Sequence, residues 1–243
     1  MAQQIMEEAQ VMFQERMESG TTRTKNNKFD KDGYLVVKDL WDPEELYHPV
    51  PNIRGVQNYW DKNPENFNHE DVEPQVNGSL ARYWYPQYRK IHTGVRKKLE
   101  KIIGKRLFNT YYYDRYYFSG QELTKHVDRP ACEISVTIHI STNLPDDSKD
   151  WPIYIKTPDT YTDQKKTSIL VPGEERSAVL NPGDGMIYKG CERPHWRDVM
   201  PTPPTLKIFG KKKDKKEYYY HQIFFHYVLA DGERSHFAWD KAK

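Results

Sequence analysis

Apolar residues recur at helical spacing in the first hundred positions and at strand spacing after them. Ile5, Ala9, Met12 and Phe13 share one stripe, which predicts a helix over 3–18 that stops at Gly20. Gly33–Val37 reads as a short strand. Asp42 then reads as an N-cap, Pro43 as the first helical residue, and Glu44 and Glu45 complement the dipole. Residues 61–79 are polar and carry Pro64, Pro74 and Gly78, so a long surface loop is expected. Ile91, Val95, Leu99, Ile102 and Ile103 line one face of a helix over 87–103. The opposite face holds Arg89, Lys90, Arg96, Lys97, Lys98 and Lys101. It reads as the solvated side of a helix laid on a sheet.

From Asn109 the pattern is that of strands: Asn109–Phe118, Ile134–Ile140, Ser177–Leu180, Met186–Tyr188, Leu206–Phe209 and Tyr218–Leu229. Asn143–Asp146, Val171–Gly173 and Asn181–Asp184 supply the turns between them. Many short strands after two helices predict a mostly β domain with helices packed on one side, a sandwich or a barrel. The run Lys211–Lys216 is expected at a hairpin tip between Leu206–Phe209 and Tyr218–Leu229, where charge blunts an edge.

Composition changes this picture little. A hydrophobic share of 37% is low, but 18 Tyr, 9 Phe and 6 Trp can still build a core. A formal charge of +2 selects no partner. Cys132 and Cys191 make no disulfide framework, so a reducing compartment is expected. No apolar run is long enough to span a membrane, and Glu7, Glu8 and Glu15 interrupt any signal peptide. A soluble, cytoplasmic protein is therefore expected.

The chemistry sits in Tyr117-Phe-Ser-Gly120-Gln-Glu-Leu123-Thr-Lys-His126-Val-Asp128 and in His195, 69 residues after His126. His-x-Asp on a strand puts both side chains on one face. A third ligand must then come from a neighbouring strand across the barrel. Two imidazoles and one carboxylate are the ligand set that holds ferrous iron and leaves positions open. His126, Asp128 and His195 are thus the candidate metal ligands and catalytic centre.

With these motifs, Tyr117–Pro130, Ile134–Ile140, Leu180–Tyr188 and His195 onward, the chain resembles the 2-oxoglutarate- and Fe(II)-dependent dioxygenases, in particular the prolyl 4-hydroxylase-like branch. The resemblance implies a double-stranded β-helix, a cupin-like jelly roll. It implies Fe(II), 2-oxoglutarate and O2 as reactants, ascorbate as a supporting reductant, and succinate, CO2 and a hydroxylated product. A prolyl or other peptide or amino-acid carbon would be the site of hydroxylation, so the expected partner is a peptide or small-molecule substrate. The expected division is a helical extension over 1–27 and one oxygenase domain over 28–243, its β-helix core at about 109–230.

The family pairs the far carboxylate of 2-oxoglutarate with a Lys or Arg a little past the distal histidine. Here the sequence departs from the pattern. Arg197, on the same strand face as His195, is the first candidate, unless it pairs with Asp198 or Asp184 at the rim. Lys207 is the second, though it falls near an apparent inserted hairpin. Tyr117 stands where the family has a tyrosine that contacts the cosubstrate, with Tyr113 able to serve instead. Arg129 and Trp196 should point away from the ligands, and His139 reads as a satisfied core histidine. Two alternatives differ in class. One is a nucleic-acid-directed oxygenase that grips phosphate with Lys211–Lys216 and the basic helix face. The other is a non-catalytic jelly-roll binding module.

Overall fold

A computed structural model describes residues 27–47, 75–145, 151–164, 167–202, 207–208, 211–212 and 218–240. The helix expected over 3–18 and residues 61–74 of the expected loop lie outside them. A short helix α1 (Asn27–Asp32) leads through Gly33, at φ +77°, into β1 (Tyr34–Val37). Asp42 does cap, accepting from the Glu44 N–H at 3.0 Å, but the turn it starts is a single 3-10 turn, Pro43–Glu45. Next come β2 (Leu80–Tyr83) and the long helix α2 (Arg89–Ile103). Gly104 ends α2 in the left-handed region at φ 67°, as a C-terminal glycine should.

The remaining strands are β3 (Leu107–Phe118), β4 (Leu123–His126), β5 (Ile134–Thr142), β6 (Ile153–Lys156), β7 (Thr160–Gln164), β8 (Thr167–Val171), β9 (Glu175–Ala178), β10 (Gly185–Tyr188), β11 (His195–Arg197), β12 (Lys207–Ile208), β13 (Lys211–Lys212) and β14 (Tyr219–Leu229). Six form one sheet in the order β1-β10-β5-β14-β3-β2, and four form a second in the order β4-β11-β6-β9. Two further ribbons are β7-β8 and β12-β13. The architecture is the expected mostly β jelly roll with flanking helices.

Strand alternation explains how the larger sheet serves two cores. Ile134, Val136, Ile138 and Ile140 of β5, with Phe225 and Tyr227 of β14, pack under Val95, Leu99 and Ile103 of α2. On the other face Tyr111, Tyr113 and Tyr117 of β3, with Tyr220 and Phe224 of β14, join Leu123, Trp151 and Met200 inside the roll. A buried ionic group pins the helix side. Arg82 Nε and Nη2 donate to Asp114 at 3.0 and 2.6 Å, and His221 Nε2 lies 2.8 Å from the same carboxylate.

Several expectations change. The basic face of α2 is partly structural: Arg96 is buried and donates to the Leu107 carbonyl at 3.3 Å, and Lys98 donates to the Leu40 carbonyl at 2.8 Å. Of the expected tip Lys211–Lys216, Lys211 and Lys212 pair as β13 with Lys207–Ile208, and residues 213–216 lie outside the described residues. The strand expected at Ser177–Leu180 lies earlier, at Glu175–Ala178. The patterning missed β2, β6 and the β7-β8 ribbon. Prolines 152 and 158 bracket β6, and Thr, Asp and Gln dominate β7. Among the described residues no helix is long and apolar enough to cross a membrane.

Candidate metal centre

β11 lies between β4 and β6, and in its ladder with β4 His195 is the register partner of His126. The third-ligand strand is therefore the immediate neighbour in the same sheet, not one across the barrel. Asp128 stands two residues beyond the last residue of β4, and its N–H donates to the Gly190 carbonyl at 2.9 Å. It is not on a strand, yet its carboxylate meets both rings. Asp128 Oδ1 is 3.6 Å from His126 Nε2 and 3.5 Å from His195 Nε2. The two ring centroids are 4.4 Å apart.

Each ring is oriented from behind. His126 Nδ1 lies 2.7 Å from the Thr124 carbonyl and His195 Nδ1 lies 2.9 Å from the Arg193 carbonyl. A carbonyl can only accept, so both Nδ1 atoms carry hydrogen and both Nε2 lone pairs face inward. Asp128 is turned by Ser135, whose Oγ donates to Oδ2 at 2.9 Å. In the metal-free protein burial opposes ionisation of Asp128, but a protonated His195 and the nearby His126 ring hold its carboxyl well below the usual range. Burial also works against a charged His195, and Asp128 overrides it to raise the ring above its ordinary value. Gly190 has to be glycine: a Cβ there would run into Asp128 Oδ2, the Cys132 carbonyl and Ser135 Oγ.

These three donors could hold one metal ion. Two neutral imidazoles preset by backbone carbonyls and one ionised carboxylate are the chemistry a divalent first-row ion requires, so the residues fit the expected Fe(II). Gln75 borders the same place. Its Nε2 donates to His126 Nε2 at 2.8 Å, and its Oε1 accepts from Arg115 Nη1 at 2.9 Å. In the sequence Gln75 falls within the polar stretch 61–79, which gives no sign of this contact.

Arg197 shares the inward face of β11 with His195 and is buried. Its Nη2 donates to Gln222 Oε1 at 2.8 Å and to the Tyr220 hydroxyl at 3.5 Å, and its Nη1 donates to the Trp151 carbonyl. Its Nε has no hydrogen-bond partner among the described residues. Neither rim acid takes it. Asp184 instead accepts from Lys38 Nζ at 2.6 Å and from the backbone of Asp39 and Asn181. Tyr117 is also buried, and its hydroxyl accepts from Gln222 Nε2 at 3.4 Å. Gln222 thus joins the two expected cosubstrate residues. The backbone of Lys207 lies in the β12-β13 ribbon, outside both main sheets.

The bland alternatives fare differently. Tyr113 is stacked between Tyr83 and Phe224, 4.6 Å from each, and Tyr111 turns its hydroxyl to Cys132 Sγ at 3.3 Å. Trp196 stacks on Tyr154 on the outer face, as expected, and Arg129 leaves the ligands to pair with Asp240 at 2.7 Å. His139 Nδ1 donates to the Leu180 carbonyl at 2.7 Å, while its Nε2 has no partner among the described residues. Both cysteines are free thiols.

No family model matches the sequence, and no curated protein matches it. Solved structures do match. A 2OG-Fe(II) oxygenase family oxidoreductase from Burkholderia pseudomallei is 11% identical, covers 83% of this chain and 87% of its own, and overlays with a TM-score of 0.50. EctD from S. alaskensis, in its apoform, is 15% identical over 86% of this chain and 81% of that one, also at 0.50. The chain has the 2-oxoglutarate/Fe(II) oxygenase fold. A prolyl-4-hydroxylase from Pseudomonas putida, 12% identical over 82% of this chain and 95% of that one, overlays at 0.48. Within this oxygenase fold the sequence reading missed Gln75, Ser135, Gln222 and His226. The last three had one signal, polar side chains at buried positions of strands that alternate or are rich in aromatics.

Proposed function

We propose that the chain is a 2-oxoglutarate- and Fe(II)-dependent dioxygenase that hydroxylates a prolyl or other peptide or amino-acid carbon. One observation carries the reading: His126 Nε2, His195 Nε2 and Asp128 Oδ1 converge in a roll whose interior also buries Arg197 with no carboxylate at salt-bridge distance among the described residues. A buried guanidinium without an anion is costly, and a dicarboxylate supplies the missing charge.

In this reading His126 and His195 bind the metal through Nε2 and Asp128 binds it through Oδ1. Iron and 2-oxoglutarate, when bound, would supply the oxidation: decarboxylation to succinate and transfer of one oxygen atom of O2 to the prime substrate. Arg197 takes the far carboxylate of the cosubstrate, and Tyr117 and Gln222 stand beside it. Trp151 and Tyr220 pack against the guanidinium, 4.7 and 4.6 Å from its centre, and keep water from the pair. The prolyl or peptide target rests on the sequence likeness of Tyr117–Pro130 and Leu180–Tyr188 alone, because a fold does not fix a substrate.

The experiment is succinate formation by purified protein given ferrous ion, ascorbate and 2-oxoglutarate, with peptide and metabolite libraries scored by mass for one added oxygen. Slow succinate release without prime substrate, and an anaerobic absorption band that needs both iron and 2-oxoglutarate, are the expected results. Absence of both would leave a binding module.

A further inference from the structure

A second group of donors lies beside the metal centre. Ligand atoms of Asp128, Cys132 and His226 fall within 4.8 Å of one another. Ser135 ties two of them together. Its Oγ is 2.9 Å from Asp128 Oδ2 and 2.9 Å from His226 Nδ1, with the Cys132 carbonyl a longer alternative at 3.3 Å. A hydroxyl has one proton to give, and an ionised carboxylate can only accept. The Ser135 proton therefore points at Oδ2, and His226 Nδ1–H donates to Oγ. That fixes the tautomer of His226. Its Nε2 becomes the lone-pair side, and it is buried with no partner among the described residues. Stacking alone would not require a histidine here. The ring lies 4.5 Å from Tyr111, a contact any aromatic residue could make. An unsatisfied buried acceptor calls for a reason, and the donated Nδ1–H supplies one.

We propose that Ser135 and His226 form a hydrogen-bond relay, His226 to Ser135 to Asp128, that keeps Asp128 a one-oxygen metal ligand. The inference rests on the metal-centre reading above. Because Oδ2 is engaged from behind, only Oδ1 is left to face the imidazoles. A carboxylate free to rotate would offer both oxygens to one ion and take up a position the cosubstrate needs. Ser135 and His226 are thus positioning residues. Gly190 allows the arrangement by leaving space against Asp128 Oδ2 and Ser135 Oγ. Cys132 stays outside the relay, its thiol turned to the Tyr111 hydroxyl.

The test is calorimetric titration of the full chain with Mn(II) and Co(II), together with the visible spectrum of bound Co(II). Wild type should bind one ion. Ser135→Ala should bind it about 10- to 100-fold more weakly, with a shifted Co(II) spectrum as the freed carboxylate changes its mode. His226→Phe keeps the ring on Tyr111 and should lose less. The double variant should be no weaker than Ser135→Ala, since His226 acts through Ser135. Ser135→Thr should restore binding and spectrum. Melting of the metal-free proteins identifies any variant that fails to fold, and Ser135→Cys, similar in size but a poorer donor, then takes the place of Ser135→Ala. Unchanged binding and spectrum in a folded Ser135 variant, or additive losses in the double variant, would overturn the relay. Two ions per wild-type chain would replace it with a second cation site on Asp128, Cys132 and His226. If wild type binds no ion, the oxygenase reading falls too; if it binds one and the variants match it, only the relay falls.

Discussion

His195 sits opposite His126 in the antiparallel ladder of β11 and β4, so backbone register fixes the spacing of the two imidazoles. Both Cα positions are set by the ladder, and each Nδ1 is held by a carbonyl, that of Thr124 within β4 for His126 and that of Arg193 in the turn before β11 for His195. Removing either ring leaves the sheet intact and deletes a donor. We expect His126→Ala, His195→Ala and Asp128→Asn each to lower divalent-metal affinity by about a hundredfold or more, beyond the usual effect of losing an outer hydrogen bond. Secondary structure by circular dichroism should stay unchanged. Titration with Mn(II) or Co(II) measures the loss, and a variant that binds like wild type would remove that residue from the ligand set.

The candidate cluster was legible in part because His-x-Asp is a local motif, although only His126 of the pair lies on a strand. His126 and Asp128 announce themselves together, and Arg197 follows from its spacing to His195. What surrounds them was not legible. Ser135 is one of several polar residues that alternate with Ile and Val in β5, and Gln222 and His226 share β14 with His221, so nothing in the pattern singles them out. Their role depends on which strand lies beside which. That order is non-local: β10 enters between β1 and β5, and β14 between β5 and β3. Gln75 is further still from the pattern, since its place against His126 comes from a contact 51 residues apart. Strand boundaries failed where prolines and polar residues broke the alternation, at β6, β7 and β9.

Arg197 offers a separate test of the cosubstrate site. Charge-assisted hydrogen bonds contribute about 1.5–3 kcal/mol each, so Arg197→Ala should weaken 2-oxoglutarate binding about 10- to 100-fold. Metal affinity should hardly change, because the guanidinium contacts Trp151, Tyr220 and Gln222 and none of the three ligands. Lys207→Ala is the control and should leave binding as it is. The anaerobic iron–2-oxoglutarate absorption band reads both. If Lys207→Ala gives the larger loss, the carboxylate partner is Lys207.

The ionic group beneath α2 should carry stability without touching chemistry. Asp114 is fully buried, and Arg82 and His221 both bond to its carboxylate. Asp114→Asn removes the negative member of a buried pair and should cost about 3–5 kcal/mol of unfolding free energy. Tyr88→Phe, which loses one bond from Arg82 Nη2 and one to the Leu46 carbonyl, should cost about 1 kcal/mol per bond. Urea titration measures both. Metal affinity of the folded Tyr88→Phe protein should equal that of wild type, and a parallel loss would mean that the two faces of the sheet are coupled.

Acid should destabilise the fold well above the range of its carboxylates. Burial lowers His92 from 6.5 to about 3, against the bond from its Nε2 to the His226 carbonyl, and lowers His139 to about 4, against the bond from its Nδ1 to the Leu180 carbonyl. Below pH 6.5 the unfolded chain takes up these protons and the native chain does not, so stability is full above 6.5 and falls as pH drops toward 4. The slope is about 1.4 kcal/mol per pH unit for each ring. In metal-free protein His195 acts in the other sense. Raised by Asp128 despite burial, it contributes stability that is full below about 6.5 and fades as pH rises through its folded value. His92→Phe keeps an aromatic ring among Tyr112, Phe225 and Tyr227, which lie 4.8–5.3 Å away. It should therefore flatten the stability curve between pH 6.5 and 4.5 by about 1.4 kcal/mol per unit, whatever it does to stability at neutral pH. Urea midpoints across that range decide the matter: curves that stay parallel would mean that His92 does not carry the proton uptake.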